Sequence, residues 1–296
     1  MGALLEVLAG KRMVVLTGAG CSTESGIPDY RGGGRPPSRR PIQQDAFVRR
    51  PEVRQRYWAR ATLAWPRFAA AAPNAAHTAL AALERTGAVR GIITQNVDSL
   101  HRRAGSQRVV ELHGALAVVR CLGCDLTEAR SALQERLVAA NPEWVGSRLA
   151  GAVALAPDGD FEVEGAGLAN FRIPTCVGCG GTLMPDVVFF GGTVPAAKVA
   201  TAWALIDEAE VLLVVGSSLA VYSGYRFVRG AAERGLPIAI VNLGKTRADD
   251  LGRVHVEQPA ARLLPYLVER LSRSSSWPSP PPPSWHPCHA LPILAT

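Results

Sequence analysis

Short apolar runs that each stop at small or polar residues decide what this 296-residue chain can fold into. Met13 to Leu16 runs into Thr17 and Gly18-Ala19-Gly20, Val89 to Thr94 into Gln95-Asn96-Val97-Asp98, and Val109 to Leu112 into His113-Gly114. Val211 to Val215 ends at Gly216-Ser217-Ser218, and Pro237 to Val241 at Asn242-Leu243-Gly244. These runs have strand length, and residues 3–11, 51–65, 75–86, 195–209 and 223–234 read as helices between and around them. Strands alternating with helices predict an α/β fold, a Rossmann-like parallel sheet with helices on both faces. Open sheets of this kind bind ligands beyond the carboxyl ends of their strands, where the polar residues of this chain stand.

The rhythm breaks over residues 125–175, a polar and loop-rich stretch with turn signals at Asn141-Pro142 and Ala156-Pro157-Asp158-Gly159-Asp160. It separates two C-x-x-C pairs, Cys121/Cys124 and Cys176/Cys179. A redox pair belongs at a helix start with one activated thiolate. These pairs sit instead in glycine-containing turns, which favours metal knuckles, although their separation is long for a simple zinc ribbon. Four thiolates leave a zinc ion no open position, so the ion expected here, one per chain, is structural and not catalytic. The expected organisation is a sheet domain of residues 1–115 and 182–271, with a small zinc-binding domain of 116–181 inserted in it. The segment 31–75, a helical and cofactor-loop insertion, is assigned to the small domain. Its Gly/Pro/Arg-rich part, 32–41, is expected to move. Residues 272–296, with Ser274-Ser275-Ser276 and Pro280 through Pro283, read as a disordered tail in which Cys288 and His289 are inert.

Composition narrows the classes. Apolar content of 48% suffices for a large core, and six cysteines in a chain this long are no secreted disulfide framework. The net charge of +7 is spread over scattered arginines, so no specific nucleic-acid partner is expected. No apolar run reaches membrane-spanning length and no signal or transit peptide opens the sequence. A cytoplasmic monomer is the expectation, with the mitochondrial matrix less favoured.

Gly18 and Gly20 follow a strand, and their N–H groups suit a pyrophosphate approached without a Cβ in the way. Thr23 stands where the dinucleotide fingerprint needs its third glycine, and no acidic residue ends a second strand about twenty positions on, so an ordinary dehydrogenase fits poorly. His113 ends a strand on the ligand face and suits general-base work, whereas His77 and His101 read as structural. Gly216-Ser217-Ser218 and Asn242-Leu243-Gly244 suit the adenosine half of a dinucleotide, or else are plain strand-to-helix turns with serine as N-cap.

In order, Gly18-Ala19-Gly20-Cys21-Ser22-Thr23-Glu24-Ser25-Gly26-Ile27-Pro28-Asp29-Tyr30-Arg31, then Thr94-Gln95-Asn96-Val97-Asp98-Ser99-Leu100-His101, His113-Gly114, both cysteine pairs, Gly216-Ser217-Ser218 and Val241-Asn242 resemble the sirtuin family of NAD-dependent protein deacylases over residues 3–271. Arg40-Pro41-Ile42-Gln43, Arg54 to Arg60, Ala156 to Asp160 and Pro185 to Gly191 resemble its class II, the sirtuin-four branch. The resemblance implies that NAD and an acyl-lysine protein meet in a cleft between the two domains. The acyl oxygen would attack C1′ of the nicotinamide ribose and expel nicotinamide. His113 would act as base on a ribose hydroxyl, and a bicyclic intermediate would open to 2′-O-acyl-ADP-ribose and free lysine. Asn96 and Asp98 would orient ribose and water. Gly18, Ala19, Gly20, Thr23, Asp29, Tyr30, Arg31, Gln95, Val97, Gly216, Ser217, Ser218, Asn242, Leu243 and Gly244 would line the cofactor. Val188, Phe189, Phe190 and Gly191 would hold the substrate strand.

Two positions depart from the family: Tyr30 replaces the more usual phenylalanine, and Gly192 an acidic residue common after Phe190-Gly191. Tyr57 and Arg60 form a Y-x-x-R pair on one helix face. They resemble the pair that holds an acyl carboxylate in desuccinylating sirtuins, and read equally as a surface arginine beside a half-buried tyrosine. Two rival functions stand beside deacylation: mono-ADP-ribosyl transfer from the same NAD site, and a non-catalytic NAD-sensing or zinc-binding module.

Overall fold

A computed structural model describes residues 1–29, 41–148 and 168–271. In chain order its strands are β1 (Met13–Thr17), β2 (Val89–Thr94), β3 (Val109–Glu111), β4 (Gly114–Cys121), β5 (Thr127–Ala129), β6 (Leu183–Val187), β7 (Val211–Val215), β8 (Ile238–Val241) and β9 (Val254–Val256). The α-helices are α1 (Gly2–Leu8), α2 (Gln44–Arg49), α3 (Pro51–Ala70), α4 (Ala75–Arg85), α5 (Leu100–Arg103), α6 (Arg130–Ala140), α7 (Pro142–Gly146), α8 (Ala196–Asp207), α9 (Tyr222–Glu233) and α10 (Ala260–Leu271).

The parallel sheet has the order β3-β2-β1-β7-β8-β9. From β1 the chain winds outward through β2 and β3, then returns to the other side of β1 and winds outward through β7, β8 and β9. The order therefore reverses between β1 and β7, and the loops beyond those strands flank the crevice where such sheets take ligands. Every residue of β1 is buried, as a strand covered on both faces requires. Met13 and Val15 face one core with Leu4 of α1, Leu80 of α4 and Leu264 of α10. Val14 and Leu16 face the other with Leu205 of α8 and Phe227 of α9. The period of two in side-chain direction thus feeds two cores from one strand.

A second sheet, β5-β4-β6, is antiparallel. Its core joins Val119 and Leu183 of the sheet to Phe47 of α2, Tyr57 and Trp58 of α3, and Leu133 and Leu137 of α6. Trp58 Nε1 donates to the Leu183 carbonyl at 3.2 Å and fixes α3 against β6.

Four expectations are corrected. Residues 125–175 are not simply loops, because α6 and α7 lie within them. Only Leu133 and Leu137 form the apolar stripe of α6, and the third buried position is an arginine, Arg130, so its periodicity is faint. Helix α1 stops at Leu8, short of residue 11, because Gly10 takes a left-handed φ of +69°. Strand β9 and helix α10 extend the sheet domain beyond the segments read as elements. Leu183–Val187, within the 182–271 segment assigned to the sheet domain, forms β6 of the antiparallel sheet. The expectations for residues 32–40, for Ala156 to Asp160 and for the tail lie outside the described residues.

Candidate active site

The loops after β1, β2, β3 and β7 converge at the crevice. Gly18 and Gly20 meet Gly216 and Ser217 there: a Cβ on Gly18 would lie 2.7 Å from Ser217 Cβ, and one on Gly20 2.9 Å from the Gly216 carbonyl oxygen. Their amides are used inside the protein, Gly18 N–H on Val215 O at 3.1 Å and Gly20 N–H on Gly216 O at 2.9 Å. The sequence reading aimed these amides at a pyrophosphate. In the structure the glycines serve first to let two loops pack backbone to backbone. Gly216 has a φ of +58°, and a Cβ on it would overlap the Cys21 amide.

A polar network ties this turn to the end of β2. Asn96 donates from Nδ2 to Gly18 O at 3.1 Å and to Ser22 Oγ at 3.0 Å, and Ser22 Oγ donates to Asp98 Oδ2 at 2.7 Å. Asp98 Oδ1 accepts from the Leu100 amide at 2.9 Å. Burial raises the Asp98 pKa and the Glu111 charge adds to it, while the Leu100 amide, the Ser22 hydroxyl and Arg103 pull the other way. Gln95 donates from Nε2 to Ser217 Oγ at 2.8 Å and so links β2 to β7. Val97 is half-buried beside a small apolar cluster of Ile27, Phe68, Leu100 and Leu116. Ser22 is a network member that the sequence reading did not assign. Its signal was its place directly after the glycine turn.

His113 follows β3. Its Nδ1 lies 2.8 Å from the Gln95 carbonyl oxygen and its Nε2 2.7 Å from Ser223 Oγ. Burial lowers its pKa below the ordinary histidine value, the Gln95 carbonyl opposes that, and Lys198 and Arg226 lower it further. The ring is therefore neutral near pH 7, as a base must be. The His113 carbonyl accepts the Val188 amide at 2.8 Å, which fastens the 188–191 segment to the base. Phe189 N–H reaches Gln44 Oε1 at 3.3 Å, and Phe190 O accepts from the Gln44 amide at 2.8 Å. Phe190 is exposed and Gly191 has a φ of +76°.

The remaining sequence candidates lie as follows. Thr23 is exposed, its hydroxyl 3.3 Å from Gly20 O, and Ala19 and Asp29 are half-buried in the same loop. Asn242 is buried and donates from Nδ2 to Leu243 O and Gly244 O at 3.0 Å each, while Leu243 is exposed. Ser217 and Ser218 do not cap α9, which begins after Val221. Ser218 O instead accepts the Arg247 amide at 2.9 Å. Tyr57 is 2% exposed and packs edge-on against Phe47, Trp58 and Phe189, and half-buried Arg60 follows it on α3. Tyr30 and Arg31 lie outside the described residues. Arg130, also missed, is a buried guanidinium between the rings of Trp58 and Trp65, and burial lowers its pKa to about 10.

The four cysteines meet. Cys121 and Cys179 Sγ are 3.5 Å apart, Cys124 and Cys176 Sγ 3.8 Å, and all four lie within 4.8 Å of one another. A ZnS₄ tetrahedron with Zn–S near 2.3 Å has S···S edges of about 3.8 Å, so the sulfurs fit zinc. Gly123 N–H points at Cys121 Sγ (3.3 Å) and Gly178 N–H at Cys176 Sγ (3.4 Å), backbone bonds that favour thiolate. The Gly123 amide leads in pulling Cys121 down to about 7.

The Sir2 family profile matches residues 18–223. The NAD-dependent protein deacetylase 1 of Mycobacterium avium (strain 104) is 54% identical over 270 residues, 91% of this chain and 95% of that one. The NAD-dependent protein deacetylase of Xanthomonas campestris pv. campestris (strain 8004) is 52% identical over 262 residues, 88% of this chain and 87% of the relative. Among solved structures, a Sir2 homolog–NAD complex superposes with a TM-score of 0.70 at 30% identity, covering 92% of this chain and 94% of the other. Sir2Tm bound to a propionylated peptide gives 0.70 at 30% identity, with 91% and 98% covered.

Proposed function

The chain belongs to the Sir2 family and is an NAD-dependent protein-lysine deacylase with a structural zinc, and we propose that His113 is its general base. The observation that carries this assignment is the state of the ring. Gln95 O fixes the Nδ1 proton, burial and two cations keep the imidazole neutral, and the basic lone pair is on Nε2. The hydroxyls and amides of Gln95, Ser217, Ser218 and Asn242 at the strand ends suit the riboses and adenine of NAD. The cofactor supplies the ribose carbon that receives the acyl group, with nicotinamide as leaving group.

The protein's part is then to bind, orient and take a proton. Val188 to Gly191 pairs with the extended substrate on the face opposite Gln44. Asn96 and Asp98, locked through Ser22, hold the ribose edge and a water. His113 Nε2 accepts the proton of a ribose hydroxyl. The cysteine knuckles keep β4 and β6 paired and so keep the substrate segment in register with the base.

Incubating acyl-lysine peptides with NAD, and reading both products by mass spectrometry, tests the assignment. His113→Ala is expected to lower kcat by roughly 10²–10⁴-fold, the usual contribution of a positioned base. Undiminished deacylation by that variant would remove His113 from the role. In the same panel Tyr57, packed against Phe189, and Arg60 one turn on along α3 predict faster turnover of glutaryl- or hydroxymethylglutaryl-lysine than of acetyl-lysine. Faster acetyl turnover would leave the pair a packing role only.

A further inference from the structure

We propose that Ser223 is a positioning residue for the base, holding the reactive Nε2 of His113 in line until the ribose hydroxyl takes its place. The proposal rests on the role given to His113 above. The Gln95 carbonyl can only accept, so the bond at 2.8 Å assigns the ring proton to Nδ1. Nε2 then has one in-plane lone pair, and the group 2.7 Å from it is the Ser223 hydroxyl, which must donate. The lone pair that does the chemistry is thus already bonded, and the ring, held at both nitrogens, cannot turn about its Cβ–Cγ bond.

The serine is itself held. It lies in the first turn of α9, and its carbonyl accepts from Arg226 Nε at 3.2 Å. The next residue is Gly224, and a Cβ there would come within 2.5 Å of the Gln95 side-chain amide. The start of α9 is therefore pressed onto the residue whose carbonyl grips the far side of the imidazole. Gln95 and Ser223 form two jaws, one per ring nitrogen. Gln95 Nε2 on Ser217 Oγ closes the frame from β7.

This arrangement also serves the protonated ring. Once Nε2 carries the ribose proton, the Ser223 hydroxyl rotates and accepts a charge-assisted bond, stronger than the neutral bond it replaces. The charged groups acting on His113 are Lys198 from α8 and Arg226 from α9, both cations, so among the described residues no carboxylate performs this service. Removing the hydroxyl therefore weakens the base as well as releasing it.

The test uses the full-length, zinc-loaded enzyme with NAD and an acyl-lysine peptide, comparing Ser223→Ala and Ser223→Thr, with ¹⁵N NMR of the His113 ring in the NAD-free protein. Ser223→Ala is expected to lower kcat about tenfold, the worth of one such hydrogen bond, with KM for NAD and peptide within about twofold. The His113 pKa and the acid limb of the kcat profile should both move to lower pH, and Ser223→Thr should restore most of the loss. An Ala variant with wild-type kcat overturns the proposal. So does a faster one, which would mean that the hydroxyl merely competes with ribose, or a rise in KM at constant kcat. Should the Ala variant not fold, Ser223→Cys, with its weaker donor, is held to the same readouts. A wild-type enzyme without NAD-dependent deacylation would instead sink the underlying assignment.

Discussion

Among the described residues, two clusters bring metal-ligand side chains within 4.8 Å of one another: the four knuckle cysteines, and Cys21 with His77 and His101. Distance alone would make both metal sites. They differ in what else their ligand atoms touch. The knuckle sulfurs receive backbone N–H groups and face each other, so four sulfurs surround one centre. In the second cluster three of the four ring nitrogens already have partners, and His101 Nδ1 alone is buried without a hydrogen bond among the described residues. His77 Nδ1 accepts the Asn74 amide at 3.2 Å in the capping box of α4, which puts its proton on Nε2, toward Ser22. His101 Nε2 bonds Thr17 Oγ at 2.9 Å. Burial lowers His77 to about 4 and His101 well below the ordinary value, and it pushes the Cys21 thiol far up, with the Asp98 charge adding to it. A metal centre needs lone pairs not otherwise engaged, and only the knuckles offer four.

Three experiments bear on that contrast. The largest effect belongs to the knuckles. Cys176→Ser, or a strong chelator at neutral pH, should take bound zinc from one ion per chain to none and unpair β4 from β6. Deacylation should fall by about 100-fold or more, because structural zinc contributes folding energy directly. Full activity in metal-free protein would defeat the idea. Acid should reach the second cluster. Unfolded imidazoles take protons below about 6.5, whereas folded His77 resists until about 4. The stability from burying it neutral is thus complete above the upper value and drains as pH falls toward the lower, on the order of 3 kcal/mol. Hydrogen exchange of the β1 and β2 amides follows this loss, and His77→Gln should flatten it; an unchanged slope would place the acid sensitivity elsewhere. The smallest effect is expected from Cys21→Ala: one zinc per chain still bound and stability lowered by about 1 kcal/mol, typical of a modest core truncation. Wild-type protein with two ions, reduced to one by this change, would reverse the comparison.

The parallel strands and the polar residues at their ends were legible because burial on both faces leaves continuous apolar runs with abrupt polar stops. The knuckles were legible because ligand chemistry restricts both residue type and spacing. The clamp on His113 was not: Ser223 lies 110 positions from the histidine it touches, and only the fold brings the start of α9 to the end of β3. Helix α6 escaped notice because Arg130, stabilised between two indole rings, occupies a position where a periodic pattern expects an aliphatic residue. The glycines of the first turn were found for one reason and work for another, since what displaces their Cβ atoms is the loop after β7. Sequence showed that the backbone must come close there, but not to what.

One junction has a mechanical consequence. The chain leaves the large sheet at His113-Gly114 and returns at Val187-Val188, and the two crossings are bonded to each other, Gly114 opposite Val187 and the Val188 amide on the His113 carbonyl. Gly114 has a φ of +82°, and a side chain there would overlap the Asp186 carbonyl. The zinc lobe is therefore mounted on the large domain at His113, and α2 and α3 pack into its core from the side. A lever swung from such a mount moves its far end most and its fixed end least. The spacing between His113 and the 188–191 segment is set at the fixed end by backbone bonds, while Leu133, Leu137 and Phe171 tie the chain between the cysteine pairs into the core that holds Phe189.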